Sequence, residues 1–403
     1  MLGGVVDEAR QQWGDAVVLR RRLHQRPELG LDLPATQEAV LEALEGLPLT
    51  VRRGTTTTSV VATLDGSGGP GPTVLLRADM DALPMPEDTG ASFASRVPGA
   101  MHACGHDSHV AMLVGAARLL AGRRASLTGR VAFMFQPGEE GHHGARFMLE
   151  DGLLDQAGDG AEPVSLAFAL HQTPTIPSGV VATRSEALLA ASDTLRIVIR
   201  GRGGHASAPH HALDPIPVAC EIVTALQSLV TRRVDAFDPA VVTIARITAG
   251  TTSNVIPEVA ELYGTVRTVS ERTRREVHDA VRRLAEGIAG AHGAAAEVDL
   301  EAGFPVTYND VDAAQLALDV AGELLGPGGV RRLAAPIMGS EDWSYVLQQV
   351  PGAMAFLGTR PRDVQGQVAP NHSNRMVLDE AALASGIAVH AGVALRWLER
   401  GAT

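Results

Sequence analysis

The chain contains no lysine: all 34 of its basic residues are arginine. Two cysteines in 403 residues allow one disulfide at most and exclude a disulfide-built secreted scaffold. The net charge is −12 with no basic block to offset it, which argues against nucleic acid or anionic lipid as the main partner. No apolar run reaches the length of a bilayer, so no membrane association is expected. The opening residues, MLGGVVDEARQQWGD, lack the basic-then-apolar layout of a secretory signal, so a cytoplasmic location is expected.

What is present has the pattern of an α/β protein of two domains. Apolar runs at 73–79, 130–135 and 164–170 read as buried strands, and 7–25 and 109–122 read as helices. Residues 193–302 change character, with strands expected at 193–201, 240–247, 261–269 and 295–302 and helices at 215–233 and 271–291. That β-α-β-β-α-β order is the split βαβ unit of a ferredoxin-like domain. It predicts an insertion over 187–302 within a discontinuous first domain of 1–186 and 303–403, which resumes with helices at 311–325 and 379–399.

Several reactive side chains fall just beyond expected strand ends, where open α/β sheets place their ligands. Asp79 and Asp81 follow the first run, Glu139 and Glu140 the second, and His171 the third. The segment MHACGHDSHV (101–110) adds Cys104 and His106, and APNHSNR adds His372. Thiolate, imidazole and carboxylate suit zinc and neighbouring first-row ions. Cys104, His106, Glu140, His171 and His372 exceed the needs of one tetrahedral zinc and fit two metals a few ångströms apart. Adjacent carboxylates point in different directions, so one of the Glu139–Glu140 pair can bind metal while the other serves as a base. Taken singly, each element has a plainer reading: CGH as a chance pair, EE as a solvated turn, a lone histidine as a core or surface residue. A thiol nucleophile at Cys104 is the remaining rival, while Cys220 reads as a small core residue of an apolar helix.

The motifs RADMDALPM (77–85), HACGHDSH (102–109), QPGEEGHHGA (136–145), GRGGHASAPH (201–210), TTSNVIPE (251–258), GTVRT (264–268), GSEDW (339–343) and PNHSN (370–374) occur in the order of one family. The chain resembles the aminoacylase, hippurate hydrolase and auxin-conjugate hydrolase family of dinuclear metal amidohydrolases, from LHQRPELG (23–30) to its last helix. The resemblance implies a mixed-sheet, metallopeptidase-like catalytic domain carrying the inserted lid and dimerisation domain. It implies two divalent ions, zinc in the first place with manganese, cobalt or nickel as alternatives, on Cys104, His106, Glu140, His171 and His372, with the cysteine bridging. Glu139 matches the general base, and Asp81 an acid that orients a ligand histidine. Asp79 matches a further carboxylate beneath the site; it stands where distant relatives carry a metal-binding histidine and is left unassigned as a ligand.

In the lid, the resemblance makes His205 the group that polarises the substrate carbonyl, reaching into the site of a homodimer partner. Asn254 and Arg267 match substrate contacts, and a guanidinium suits the α-carboxylate of an acylated amino acid. The plainer reading of Arg267 is an exposed strand charge. His24, His102 and His109 are expected to be structural, His142 and His143 to lie in a solvated turn, and His210 and His211 to have no chemical part. Glu341 and Asp342 belong to a loop near the metals, without an assigned role. The expected reaction is hydrolysis of an N-acyl amino acid. A dipeptidase or deacetylase on the same fold, and a metal-binding interaction module without turnover, are the competing readings.

Overall fold

The run TVLLRAD forms a fully buried strand over the expected residues, Thr73–Asp79, because both of its faces are covered by helices and loops. In the computed structural model, which describes residues 2–158 and 162–400, the chain divides into two compact units. One comprises Met1–Leu188, Tyr308–Ala335 and Asp342–Thr403, and the other Leu189–Thr307 with Pro336–Glu341. The short return at 336–341, which the sequence assigns to the first domain, therefore groups with the second.

The first unit is built on an eight-stranded mixed sheet. Its strands include β1 (Thr50–Arg53), β2 (Val60–Asp65), β3 (Thr73–Asp79), β4 (Arg130–Gln136), β5 (Val164–Pro177) and β6 (Val181–Thr183). The spatial order is β1-β2-β4-β3-β5, then Gly352–Arg360, β6 and Val330–Arg332. The four central strands β4, β3, β5 and Gly352–Arg360 run parallel, so their carboxyl ends open on one edge. Helices α1 (Val5–His24), α2 (Pro34–Leu44) and α3 (His106–Gly122) pack on the sheet with the terminal helix Ala382–Arg400. Leu19 and Leu23 of α1, Val110 and Leu113 of α3, and Ile387 and Val393 of the terminal helix share one core with Phe133 and Phe168 of the sheet.

The sequence places the start of α3 at His109, but the helix begins three residues earlier, so His106 lies in its first turn. The cause is Gly105, which takes a left-handed conformation (φ 81°) as N-cap. The strand Gly352–Arg360 and helix α2 have no expected counterpart, because their small and mixed residues carry no clear period.

The second unit is a four-stranded antiparallel sheet in the order Ala240–Ala249, Val259–Thr268, Ala191–Arg200, Ala295–Ala302. Helices Pro215–Arg233 and Glu271–Ala291 cover it, and Ile222 and Leu226 meet Val277 and Val281 above Ile197 and Leu262. Cys220, expected in the core, lies on the exposed side of the first of these helices, away from its buried face at Val218, Ala219 and Ile222. This is the ferredoxin-like arrangement expected from the element order. Among the described residues no helix is long and apolar enough to cross a membrane.

A buried charge cluster fixes the amino end of α3 to α1. Asp107 accepts from Arg20 Nε (3.0 Å) and His24 Nδ1 (2.8 Å), while Arg20 also reaches Glu380 and His24 Nε2 lies 3.2 Å from Glu87. Burial works against a charged His24, yet Asp107 and Glu87 raise its pKa to about 9. His24 therefore holds its proton more tightly in the folded chain, and the stability this contributes is complete below pH 6.5 and is lost as pH rises through about 9. His24→Gln is expected to flatten that limb of a urea-denaturation pH series. Asp107→Ala, which removes the anion shared by Arg20 and His24 and leaves them only Glu380 and Glu87, is expected to cost about 3 kcal/mol in the same assay.

Candidate metal centre

The donor atoms converge where the parallel strands end. β3 leads into Asp79-Met80-Asp81 and β4 into the turn that carries Glu139 and Glu140, whereas His171, expected just past the end of its strand, lies within β5, which continues to Pro177 in pairing with Gly352–Arg360. Cys104 and His106 flank the N-cap of α3, and His372 sits in the loop between Gly352–Arg360 and the terminal helix. His372 has a left-handed backbone (φ 66°), unusual for a residue with a side chain, and its N–H donates to Ala103 O at 2.9 Å. Strain held in place by the Cys104 loop is what aims this ring at the other donors.

Several donor triads form among the described residues, and two of them share Cys104, each with its ligand atoms within 4.8 Å of one another: Cys104, His106 and His171, and Cys104, Glu140 and His372. Cys104 is the atom source they share. Its Sγ lies 3.4 Å from His171 Nε2, and Glu140 Oε1 lies 3.2 Å from His372 Nε2 and 3.9 Å from His106 Nε2. Both inner histidines are held in one tautomer. His106 Nδ1 donates to Asp81 O (2.9 Å) and His171 Nδ1 to Gln172 O (2.6 Å), which leaves each Nε2 bare and facing the cluster.

These residues fit a bound cation. His106 Nε2 is buried with no hydrogen-bond partner, and Glu140 Oε1 likewise makes no hydrogen bond. Orphaned buried acceptors are costly unless something positive fills the space. The titration behaviour points the same way. The Cys104 thiol and the Glu140 carboxylate beside it outweigh burial and raise His372 to about 10. Burial opposes a charged His106, but Asp79 and Cys104 beside it raise its pKa well above the usual imidazole value. Burial and the positive field of His109 keep His171 neutral, the form that ligates. Burial pushes the Cys104 thiol up, and it is a cation at this point that would deprotonate it.

The expected second carboxylate is where a base would stand. Glu139 is buried, and its carboxylate groups with His106 and Glu140 within the same 4.8 Å. The Asp81 carboxylate does not act mainly on a histidine. Its Oδ1 and Oδ2 accept from the backbone N–H groups of Glu139 (2.9 Å) and Glu140 (3.0 Å), and it is the main-chain carbonyl of Asp81 that orients His106. The turn is tight elsewhere too: a Cβ on Gly144 would fall 1.6 Å from Pro137 O.

Below this layer lie the residues that hold it. Asp79, expected as a carboxylate beneath the site, pairs with Arg77 (2.8 Å) and His109; burial alone would raise its carboxyl, but Arg77 and the histidines hold it well below the usual range. Gln172 gives its Nε2 to Cys104 O (2.7 Å) and Asn371 Oδ1 (2.9 Å), and accepts from Thr359 through Oε1. It thereby joins the two histidine loops to the cysteine, and its only signal in the sequence is its place beside His171. Asp342 accepts from Arg77, Gln136 and the N–H of Ala145, fixing the far end of the Glu139–Glu140 turn.

The remaining expected residues lie elsewhere. In the second unit, His205 and Asn254 line one concavity of about 480 Å³ with Val255 and Ile256, and Ala206 N–H donates to Asn254 O. Arg267 is half-buried and donates to Ser340 Oγ at 3.0 Å. His143 lies 2.8 Å from the Tyr345 hydroxyl through Nδ1, so it is anchored rather than solvated, while His210 and His211 are exposed and stack on each other. His102 is buried with both ring nitrogens unpartnered.

A parallel sheet edge bearing two cysteine-sharing donor triads, with a further carboxylate beside them, suits a metal-dependent hydrolase. Residues 75–396 match Peptidase family M20/M25/M40, and the chain belongs to that family. It is similar to thermostable carboxypeptidase 2 of Saccharolobus solfataricus, at 39% identity over 94% of this chain and 95% of the relative. It is 40% identical to N-acetylcysteine deacetylase of Bacillus subtilis, over 91% and 92% of the two chains. A solved Bacillus subtilis structure, described as a dinuclear metal binding peptidase from the M20 family, matches at 36% identity with a TM-score of 0.83, over 97% of this chain and 99% of that one.

Replacement of Gly105 tests the geometry directly. A Cβ there would lie 2.5 Å from Gln172 Nε2 on a backbone with φ 81°. Gly105→Ala is expected to lower bound metal at least tenfold by elemental analysis after dialysis while the circular dichroism spectrum stays native. Chelation of wild-type protein is expected to lower its melting temperature, since the ions bind only the folded donor set.

Proposed function

We propose that the chain hydrolyses N-acyl amino acids to a carboxylic acid and a free amino acid. The observation that carries this reading is the sharing of Cys104 by two donor triads with Glu139 alongside. Two divalent ions, zinc by preference for the thiolate, would be held by Cys104, His106, Glu140, His171 and His372. When bound they lower the pKa of a water molecule and polarise the substrate carbonyl. Glu139 accepts the proton of the attacking water on its carboxylate and returns it to the leaving nitrogen. Asp81 acts through the turn, keeping the carboxylates of Glu139 and Glu140 on their separate tasks.

The substrate class is supported by what the two named relatives have in common. A carboxypeptidase and a deacetylase of N-acetylcysteine both release an amino acid with a free carboxylate. Arg267 in the lid is the guanidinium suited to that carboxylate, and Asn254 a further polar contact. His205 donates to the carbonyl oxygen as charge develops on it, from the partner subunit of a lid-mediated homodimer. The enzyme works in the cytoplasm, where its buried thiol stays reduced.

A mass-spectrometric screen of N-acetyl, N-aroyl and long-chain N-acyl amino acids, with dipeptides as a second panel, tests the reading. Chelator-sensitive release of a free amino acid from the acyl panel is expected. Release from dipeptides alone would replace the substrate class with a dipeptidase, and loss of activity on thiol alkylation with indifference to chelator would reinstate Cys104 as a nucleophile. Glu139→Gln is expected to keep its metal and lose at least about a thousandfold in kcat.

A further inference from the structure

The proposed role of His205 requires a proton on the ring nitrogen that faces substrate, and the lid contains a device that would put it there. His205 lies in a two-residue strand, Gly204–His205, paired antiparallel with Val255–Ile256. Two residues on, the chain turns back: Ala208 N–H donates to His205 O at 2.9 Å, and Ala206 N–H to Asn254 O at 3.1 Å. The turn brings Ser207 against the ring. The Ser207 backbone N–H points at His205 Nδ1 from 3.1 Å, and the Ser207 hydroxyl lies 2.8 Å from the same nitrogen. A peptide N–H can only donate, so Nδ1 is the acceptor and carries no hydrogen. The single proton of the neutral ring is then on Nε2.

We propose that Ser207 is a positioning residue that locks His205 as the Nε2–H tautomer, so that the nitrogen turned away from the loop is a hydrogen-bond donor to the substrate's carbonyl oxygen. This rests on the reading of His205 given above. In the opposite tautomer Nε2 would present a lone pair to an oxygen that gains negative charge as water adds, and the contact would turn repulsive. The serine supplies two donors to one acceptor, one from its backbone and one from its side chain. Because the turn is closed by the main-chain bonds of Ala206 and Ala208, the hydroxyl can be removed without removing the turn.

The test is carbon and nitrogen NMR of the full-length, metal-loaded enzyme with labelled histidine, the His205 signals being assigned by their loss in His205→Gln. Wild-type protein is expected to show an unprotonated Nδ1 and a protonated Nε2. Ser207→Ala keeps the backbone N–H and loses only the hydroxyl, so it is expected to admit a minor fraction of the Nδ1–H tautomer and to lower kcat about five- to tenfold, the worth of one neutral hydrogen bond, with KM within twofold. Ser207→Thr, which keeps the hydroxyl, is expected to restore both. Wild-type tautomer and kcat in Ser207→Ala, alongside a His205→Gln enzyme that has lost activity, would overturn the role of the Ser207 hydroxyl. Full turnover in His205→Gln would remove His205 from the donor role and with it the catalytic meaning given to Ser207.

Discussion

Electronegative atoms buried side by side need a cation, and the first unit is arranged around that need. Cys104 Sγ, His106 Nε2, His171 Nε2 and Glu140 Oε1 are brought together with their other hydrogen-bonding capacity already spent on the protein. Left to themselves they attract protons, which is why His106 and His372 bind theirs so tightly. A divalent ion offers the same positive charge with several ligand bonds at once, so the protonated cluster and the metal site are two answers to one electrostatic demand.

The scaffold answers that demand with rigid, local devices. The left-handed Gly105 lets Cys104 and His106 leave the N-cap toward one point, and the strained His372 closes the ring from the opposite loop. Gln172 spans the gap between them, with a carbonyl oxygen, a side-chain amide and a threonine hydroxyl all satisfied by one amide group. On the other side Asp81 and Asp342 each accept backbone N–H groups from the turn that holds Glu139 and Glu140. Carboxylates used in this way set main-chain geometry, which is more exacting than a side-chain contact because it fixes where the next side chain begins. The Arg20–Asp107–His24 cluster extends the same order outward, so that stability of α1 against α3 and aim of the ligands are coupled.

Much of this was legible in the sequence where a residue's own chemistry announces it. Strands such as TVLLRAD and helices with a regular apolar face, Glu271–Ala291 above all, follow from periodicity. The grouping of Cys104, His106, Glu140, His171 and His372 was legible from their order and placement along the chain, since each alone has a plainer use. What stayed hidden works through the backbone or through distance. Gly352–Arg360, a central strand, is composed largely of small residues with no alternation. Gln172 and Asp342 are common polar residues whose partners lie far away in the chain, and Asp107 next to His106 draws no notice until Arg20 and His24 are placed beside it. The start of α3 was misjudged because a glycine that would ordinarily end a helix serves here to begin one.

The central claim is that Cys104 is a metal ligand common to both triads. X-ray absorption spectroscopy at the metal edge, on protein of known metal content, tests it most directly. The account predicts about two ions per chain, each with one sulfur among nitrogen and oxygen neighbours, and loss of the sulfur signal in Cys104→Ser. A first shell of nitrogen and oxygen alone in the wild-type protein would contradict it.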